Sequence, residues 1–170
     1  MTDLSPFHPR AAQLLEKARS KRLTIATAES CTGGLIAGLL TEIAGSSDVL
    51  ERGFVTYSNA AKVEMLGVPE ATLIAHGAVS EATARAMAEG ALTHSRAALS
   101  VAVTGIAGPD GGTAEKPVGL VHFACAVTGH PTVHVLRRFG DVGRDEVRLA
   151  AVVQALAMLE EAIAGWRLNA

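Results

Sequence analysis

Residues 27–34 read Thr-Ala-Glu-Ser-Cys-Thr-Gly-Gly, and they set a carboxylate (Glu29), a hydroxyl (Ser30), a thiol (Cys31) and a second hydroxyl (Thr32) directly before the pair Gly33-Gly34. A serine or cysteine at the start of a helix sees the positive end of the helix dipole. Free amides at Thr32, Gly33 and Gly34 can there hold a developing oxyanion or a phosphate. A purely structural use fits the same spacing, with Ser30 as the N-cap of the helix and the glycines permitting close packing.

Two further groups carry similar chemistry. Tyr57 is the only tyrosine of the chain, and Lys62 follows Ser58 by four residues, one helical turn. A lysine whose pKa is depressed by burial can serve a serine as its base, while an ordinary helix lysine stays solvated. No Ser-x-x-Lys motif includes Ser30, so such a dyad has to form across the fold. Residues 104–119 (TGIAGPDGGTAEKPVG) hold five glycines and two prolines in sixteen positions. A loop of this kind brings backbone amides close to an anion or a flat ring, through Thr104, Gly105 and Gly108, or is a plain surface turn. It matches neither a Walker A loop nor a dinucleotide-binding fingerprint. Arg144 and Arg148 stand at the start of the last helix, where the dipole disfavours cations, a placement that suits an anionic ligand as well as solvent.

The elements that must position these residues alternate. Helical spacing over 9–21 precedes a short buried strand, Leu23 to Thr27, and a helix follows with Leu35, Ile36, Leu39, Leu40 and Ile43 on one face and Gly45 as its stop. A second strand at RGFVTYS leads to a helix capped by Ser58 and ended by Gly67, and Ser80 caps an alanine-rich helix that runs into a strand at 98–105. Strands at 119–127 and 132–139 form a hairpin through Thr128-Gly129-His130-Pro131, and a helix over 144–164 closes the chain. This order predicts an α/β domain with a mixed, largely parallel sheet, a single unit over residues 1–170. In LAAVVQALAML, residues 149–159, ten of eleven side chains are apolar. Such a helix needs cover on more than one side, from the same chain or from a second copy, with Ala151 and Ala155 taken as interface positions.

Composition excludes several classes. A formal charge of -2 and a 49% hydrophobic content leave no basic footprint for nucleic acid. No apolar run reaches the length of a membrane span and the N-terminus lacks a signal-peptide pattern, which makes a soluble, cytoplasmic protein the expectation. Two isolated cysteines, Cys31 and Cys125, fit neither a disulfide framework nor a zinc site and are expected as reduced thiols; no cofactor is expected.

Several long segments together carry a resemblance. AESCTGGLIAGLLTEIAGSSDVLERGFVTYSNAAKVEMLGV, GAVSEATARAMAEGA, VAVTGIAGPDGGTAEKPVGLVHFA and RDEVR resemble, in order and over about residues 10–163, the CinA C-terminal domain family, whose established activity is deamidation of nicotinamide mononucleotide. The resemblance implies a three-layer α/β/α fold, a homodimer, no required metal, and hydrolysis of a small mononucleotide amide. Carried onto this sequence, it places the nucleophile on Ser30, a tyrosine and a lysine of the catalytic group on Tyr57 and Lys62, a loop threonine on Thr104 and a ligand-binding arginine on Arg144. Glu29 is expected to orient the site, Thr32, Gly33 and Gly34 to serve the substrate, and Cys31 to be a wall residue. Either Lys62 or Tyr57 is the direct base, and Arg148 competes with Arg144 for the phosphate. Two other readings suit the same pocket: a module that binds a mononucleotide without turning it over, and a serine–lysine amidase acting on another small amide.

Overall fold

The computed structural model describes residues 2–166. Helix α1 (His8–Ser20) precedes β1 (Ile25–Glu29), α2 (Leu35–Thr41), β2 (Leu50–Val55), α3 (Asn59–Leu66), α4 (Glu70–His76), α5 (Glu81–Thr93), β3 (Leu99–Gly105), β4 (Leu120–Val127), β5 (Val133–Arg138) and α6 (Arg144–Gly165). The sheet order is β2-β1-β3-β4-β5. β1 lies parallel to both β2 and β3, whereas β4 pairs antiparallel with β3 and with β5. The expected hairpin is β4–β5. The second antiparallel pairing arises because the glycine-rich loop returns β4 beside β3 instead of crossing over through a helix.

Two cores make the three layers. On one face α1, α2 and α6 bury Leu14, Leu39 and Leu156 against Ile25, Val101 and Phe123. On the other, α5 lays Ala84, Met87, Ala88 and Ala91 on a strand surface of Ala26, Ala28, Ala102, Ala124 and Ala126. Small side chains on both partners let α5 sit close to the sheet, and a Cβ on Gly90 would lie 2.0 Å from the Leu66 carbonyl, so α3 also packs in tightly. Every residue of β1 is buried, as a central parallel strand requires.

Several elements differ from the sequence reading. β1 begins two residues later than expected, at Ile25, and ends on the polar Glu29, because pairing with strands on both sides carries the ladder through Thr27 and Glu29. Helix α2 starts only at Leu35 and stops at Thr41, and Gly45 opens a 3-10 turn instead of ending the helix. Ser30 is therefore not the N-cap of α2. That position falls on Gly34 at φ +98°, with no side-chain cap. The short α4, which buries none of its residues, was not foreseen. Ser58 and Ser80 do cap α3 and α5, accepting from the Ala61 and Thr83 amides, and Gly67 ends α3 in the left-handed region. In α6 both Ala151 and Ala155 are fully buried in the chain's own core, so they are not interface positions. Among the described residues, no helix is long and apolar enough to cross a membrane.

Candidate active site

The chain leaves β1 toward α2 on one face of the sheet and reaches the neighbouring β3 only after α3, α4 and α5 on the other. Between the carboxyl ends of β1 and β3 the connections therefore diverge, which is where open α/β sheets leave a crevice. A cleft of about 280 Å³ opens there.

Ser30 follows β1 directly and is fixed through its backbone. Its N–H donates to the Val103 carbonyl (3.0 Å), its carbonyl accepts from Gly33 (3.0 Å), and the preceding Glu29 carbonyl accepts from Thr56 (2.8 Å). Its hydroxyl is met from α3. Lys62 is 1% exposed, and its Nζ donates to Ser30 Oγ at 3.0 Å and to the Thr56 carbonyl at 2.8 Å. Among the described residues no carboxylate pairs with Lys62, so burial prevails over the smaller opposing influence of Cys31 and holds its pKa below the usual lysine range. A serine hydroxyl hydrogen-bonded to a desolvated lysine is an arrangement that can serve an activated nucleophile. The neighbouring thiol is unsuited to that role, since burial pushes Cys31 up to about 12 and keeps it neutral.

Glu29 faces the other way. Its carboxylate accepts from the amides of Gly34 (3.1 Å), Ile36 (3.0 Å) and Ala37 (2.9 Å) and from the Thr27 hydroxyl (3.1 Å). It thus supplies the cap that Gly34 cannot. Glu29 lies outside the cleft lining, as do Thr32, Gly33 and Gly34. The Gly33 and Gly34 amides are already taken, by the Ser30 carbonyl and by Glu29. They are not free oxyanion donors, contrary to the sequence expectation.

The remaining walls come from the loops. Tyr57, Thr104, Gly105, Gly108 and Arg144 all line the cleft with Ser30 and Lys62. Thr104 is buried and its hydroxyl donates to the Ala78 carbonyl (2.8 Å), tying β3 to the segment before α5 and bringing Ala78 and Val79 into the wall. At Gly105 a Cβ would come within 2.7 Å of the Val121 side chain, and at Gly108, with φ +80°, one would come within 2.6 Å of Val118. Arg144 donates from Nη1 to the Gly108 carbonyl and from Nη2 to the Tyr57 hydroxyl, both at 2.9 Å. Arg148, one helical turn on, is turned behind the Ser30 loop instead. It donates to the carbonyls of Cys31 (3.2 Å) and Thr32 (3.0 Å). The sequence reading gave no part to Thr56, whose backbone anchors Lys62, or to Asp110, which lines the mouth. No residue type or spacing marks a backbone carbonyl as a lysine anchor.

A three-layer α/β/α domain with a buried serine–lysine pair at its sheet's divergence point is the class that fold and site define. Residues 8–163 match the model of the CinA C-terminal domain, and the chain belongs to that family. It is 50% identical over 160 residues to the nicotinamide-nucleotide amidohydrolase PncC of Escherichia coli K12, covering 94% of this chain and 95% of that one. A putative competence-damage inducible protein of Symbiobacterium thermophilum is 55% identical over 153 residues, but there the chain spans only 35% of the relative's length. Among solved structures, the competence/damage inducible protein CihA from Agrobacterium tumefaciens superposes with a TM-score of 0.90 at 56% identity, over 93% of this chain and 95% of that chain.

Proposed function

We propose that the chain is an amidohydrolase that converts nicotinamide mononucleotide to nicotinate mononucleotide and ammonia. The observation that carries the reading is the Lys62–Ser30 hydrogen bond in a desolvated pocket, joined to the full-length similarity to PncC. Ser30 Oγ adds to the carboxamide carbon while neutral Lys62 takes its proton. Lys62 then passes that proton to the amide nitrogen, ammonia leaves, and a nicotinoyl ester remains on Ser30. Water, deprotonated by the same amine, cleaves the ester and returns the serine.

At the outer end of the cleft Arg144 pairs with the ribose phosphate, for which a planar fork of donors is well shaped. The Tyr57 oxygen accepts from Arg144 and keeps its own proton to donate toward substrate or departing ammonia. The Gly105–Gly111 loop supplies close-approaching backbone around the ring and ribose. Ammonia and nicotinate mononucleotide released from nicotinamide mononucleotide by the purified protein test the activity. Binding without release would make it a sensing module, and release only from other amides in a panel would make it a different amidase.

The reading includes a homodimer. Leu149, Ala150, Val153 and Ala157 of α6 are only half-buried and line an apolar groove with Phe7 and Phe139, a face a second copy can cover. Light scattering at micromolar concentration should give twice the chain mass, and Val153→Glu should shift it toward one.

A further inference from the structure

In the turn between β1 and α2 the backbone groups are almost all committed. The Gly33 amide goes to the Ser30 carbonyl, the Leu35 amide to the Thr32 carbonyl, and the Gly34, Ile36 and Ala37 amides to Glu29. Two amides immediately after the serine, those of Cys31 and Thr32, meet no acceptor among the described residues. The buried Thr32 hydroxyl beside them also has no partner.

From behind, one side chain holds this turn. Arg148 donates from Nε to the Cys31 carbonyl (3.2 Å) and from Nη2 to the Thr32 carbonyl (3.0 Å), two successive peptide groups gripped by one planar fork. A trans peptide points its C=O and N–H in opposite directions. Drawing the Cys31 carbonyl toward α6 therefore turns the Thr32 amide away from α6. The guanidinium charge also pulls electron density toward that carbonyl, which makes the amide on its far side a stronger donor. Arg148 has no place in the cleft lining, although Cys31 does and so does Arg144, four residues earlier on α6.

We propose that Arg148 is a positioning residue for the hydrolysis: by holding the Cys31 and Thr32 carbonyls from behind, it fixes the turn so that its two uncommitted amides, that of Cys31 at the cleft wall and that of Thr32 next to it, receive the oxyanion formed when Ser30 adds to a carbonyl. The proposal rests on the reading of Ser30 as nucleophile. It gives the two arginines of α6 separate duties, Arg144 toward the ligand in front and Arg148 toward the donor turn behind.

The test compares wild type, Arg148→Ala and Arg148→Lys with two readouts. One is the rate at which a fluorophosphonate modifies Ser30, followed by intact mass; its phosphoryl oxygen takes the place of the carbonyl oxygen and needs no knowledge of the substrate. The other is kcat and KM for nicotinamide mononucleotide. Arg148→Ala should slow both modification and kcat by about 10- to 100-fold, less than the roughly 10²–10³ lost when a donor itself is deleted, with KM held within about threefold. Arg148→Lys, which keeps the charge but reaches fewer carbonyls, should recover part of the rate, as should guanidinium added to Arg148→Ala. Modification at the wild-type rate in Arg148→Ala, or in Arg148→Lys should the alanine variant not fold, overturns the proposal, and so does a raised KM with unchanged kcat. Wild-type protein that is modified on Ser30 yet leaves nicotinamide mononucleotide intact removes the substrate reading alone, and the modification rates still decide the role of Arg148.

Discussion

The inner and outer ends of the cleft are built from opposite materials. Inside, Lys62 is 1% exposed and Ser30 9%; the Ser30 backbone is held by Val103 of β3, and the Lys62 amine by the Thr56 carbonyl just past β2. Outside, Tyr57 is 62% exposed and is held chiefly by Arg144, which reaches it from another element. The inner end withholds water: desolvation lowers the pKa of a lysine that lies beside a hydroxyl, which is what the proposed reaction needs. The outer end is two long side chains on a wet rim, where charge is screened and geometry adapts. The proposed function puts the chemistry where placement is rigid and the grip on a charged, variable part of the ligand where it is not.

If that division is right, the largest losses follow changes at the inner end. Ser30→Ala and Lys62→Ala should each lower kcat for the mononucleotide by on the order of 10³-fold or more, with the double variant scarcely worse than either, because members of one catalytic unit are not additive. Steady-state kinetics on folded variants check this, and simple multiplication of the two losses would break the pairing.

Arg144→Ala should act differently, raising KM about 10- to 100-fold with a smaller change in kcat, as removal of a charged pair to phosphate does. Nicotinamide riboside, which lacks the phosphate, should be handled alike by wild type and variant. A loss of kcat with constant KM would move Arg144 to the inner end.

The lysine itself offers a pH test with a definite sign. Its folded pKa lies below the unfolded value of 10.5, so between the two the unfolded chain binds more protons and stability rises with pH. Below the folded pKa the cost of a buried ammonium is fully present. Lys62→Met should therefore raise the melting temperature at neutral pH while abolishing turnover. In the active protein kcat/KM should climb with pH along a limb whose midpoint lies below that of an ordinary lysine. Tyr57→Phe, which removes one exposed hydroxyl and its bond to Arg144, should have the smallest effect, a decrease in kcat/KM of about 3- to 30-fold.

How much of this was legible in the sequence depends on the kind of signal. Ser58, Ser80 and Gly67 punctuate helices by local chemistry, and the structure uses each as the pattern predicts. The meeting of Ser30 and Lys62 across 32 residues has no periodicity behind it and came from the family resemblance. Glu29 shows the limit most clearly. An acidic residue beside a serine suggests a site carboxylate, but alternation along β1 sends its side chain to the opposite face from Ser30, where three helix amides bind it. Reading that from sequence needs the strand's end to within one residue, and the expected strand was two residues early. Arg148 was visible only as a second arginine, because its partners are carbonyls, which every residue carries.

Acyl-enzyme formation on Ser30 is most directly tested in the first turnover. Rapid quenching of wild-type protein in its first turnover of nicotinamide mononucleotide, followed by mass analysis of the peptide containing Ser30, should show a gain equal to the substrate less ammonia, located on Ser30 and absent from Ser30→Ala. Turnover by Ser30→Ala at a rate near wild type, or an adduct on any other residue, would contradict it.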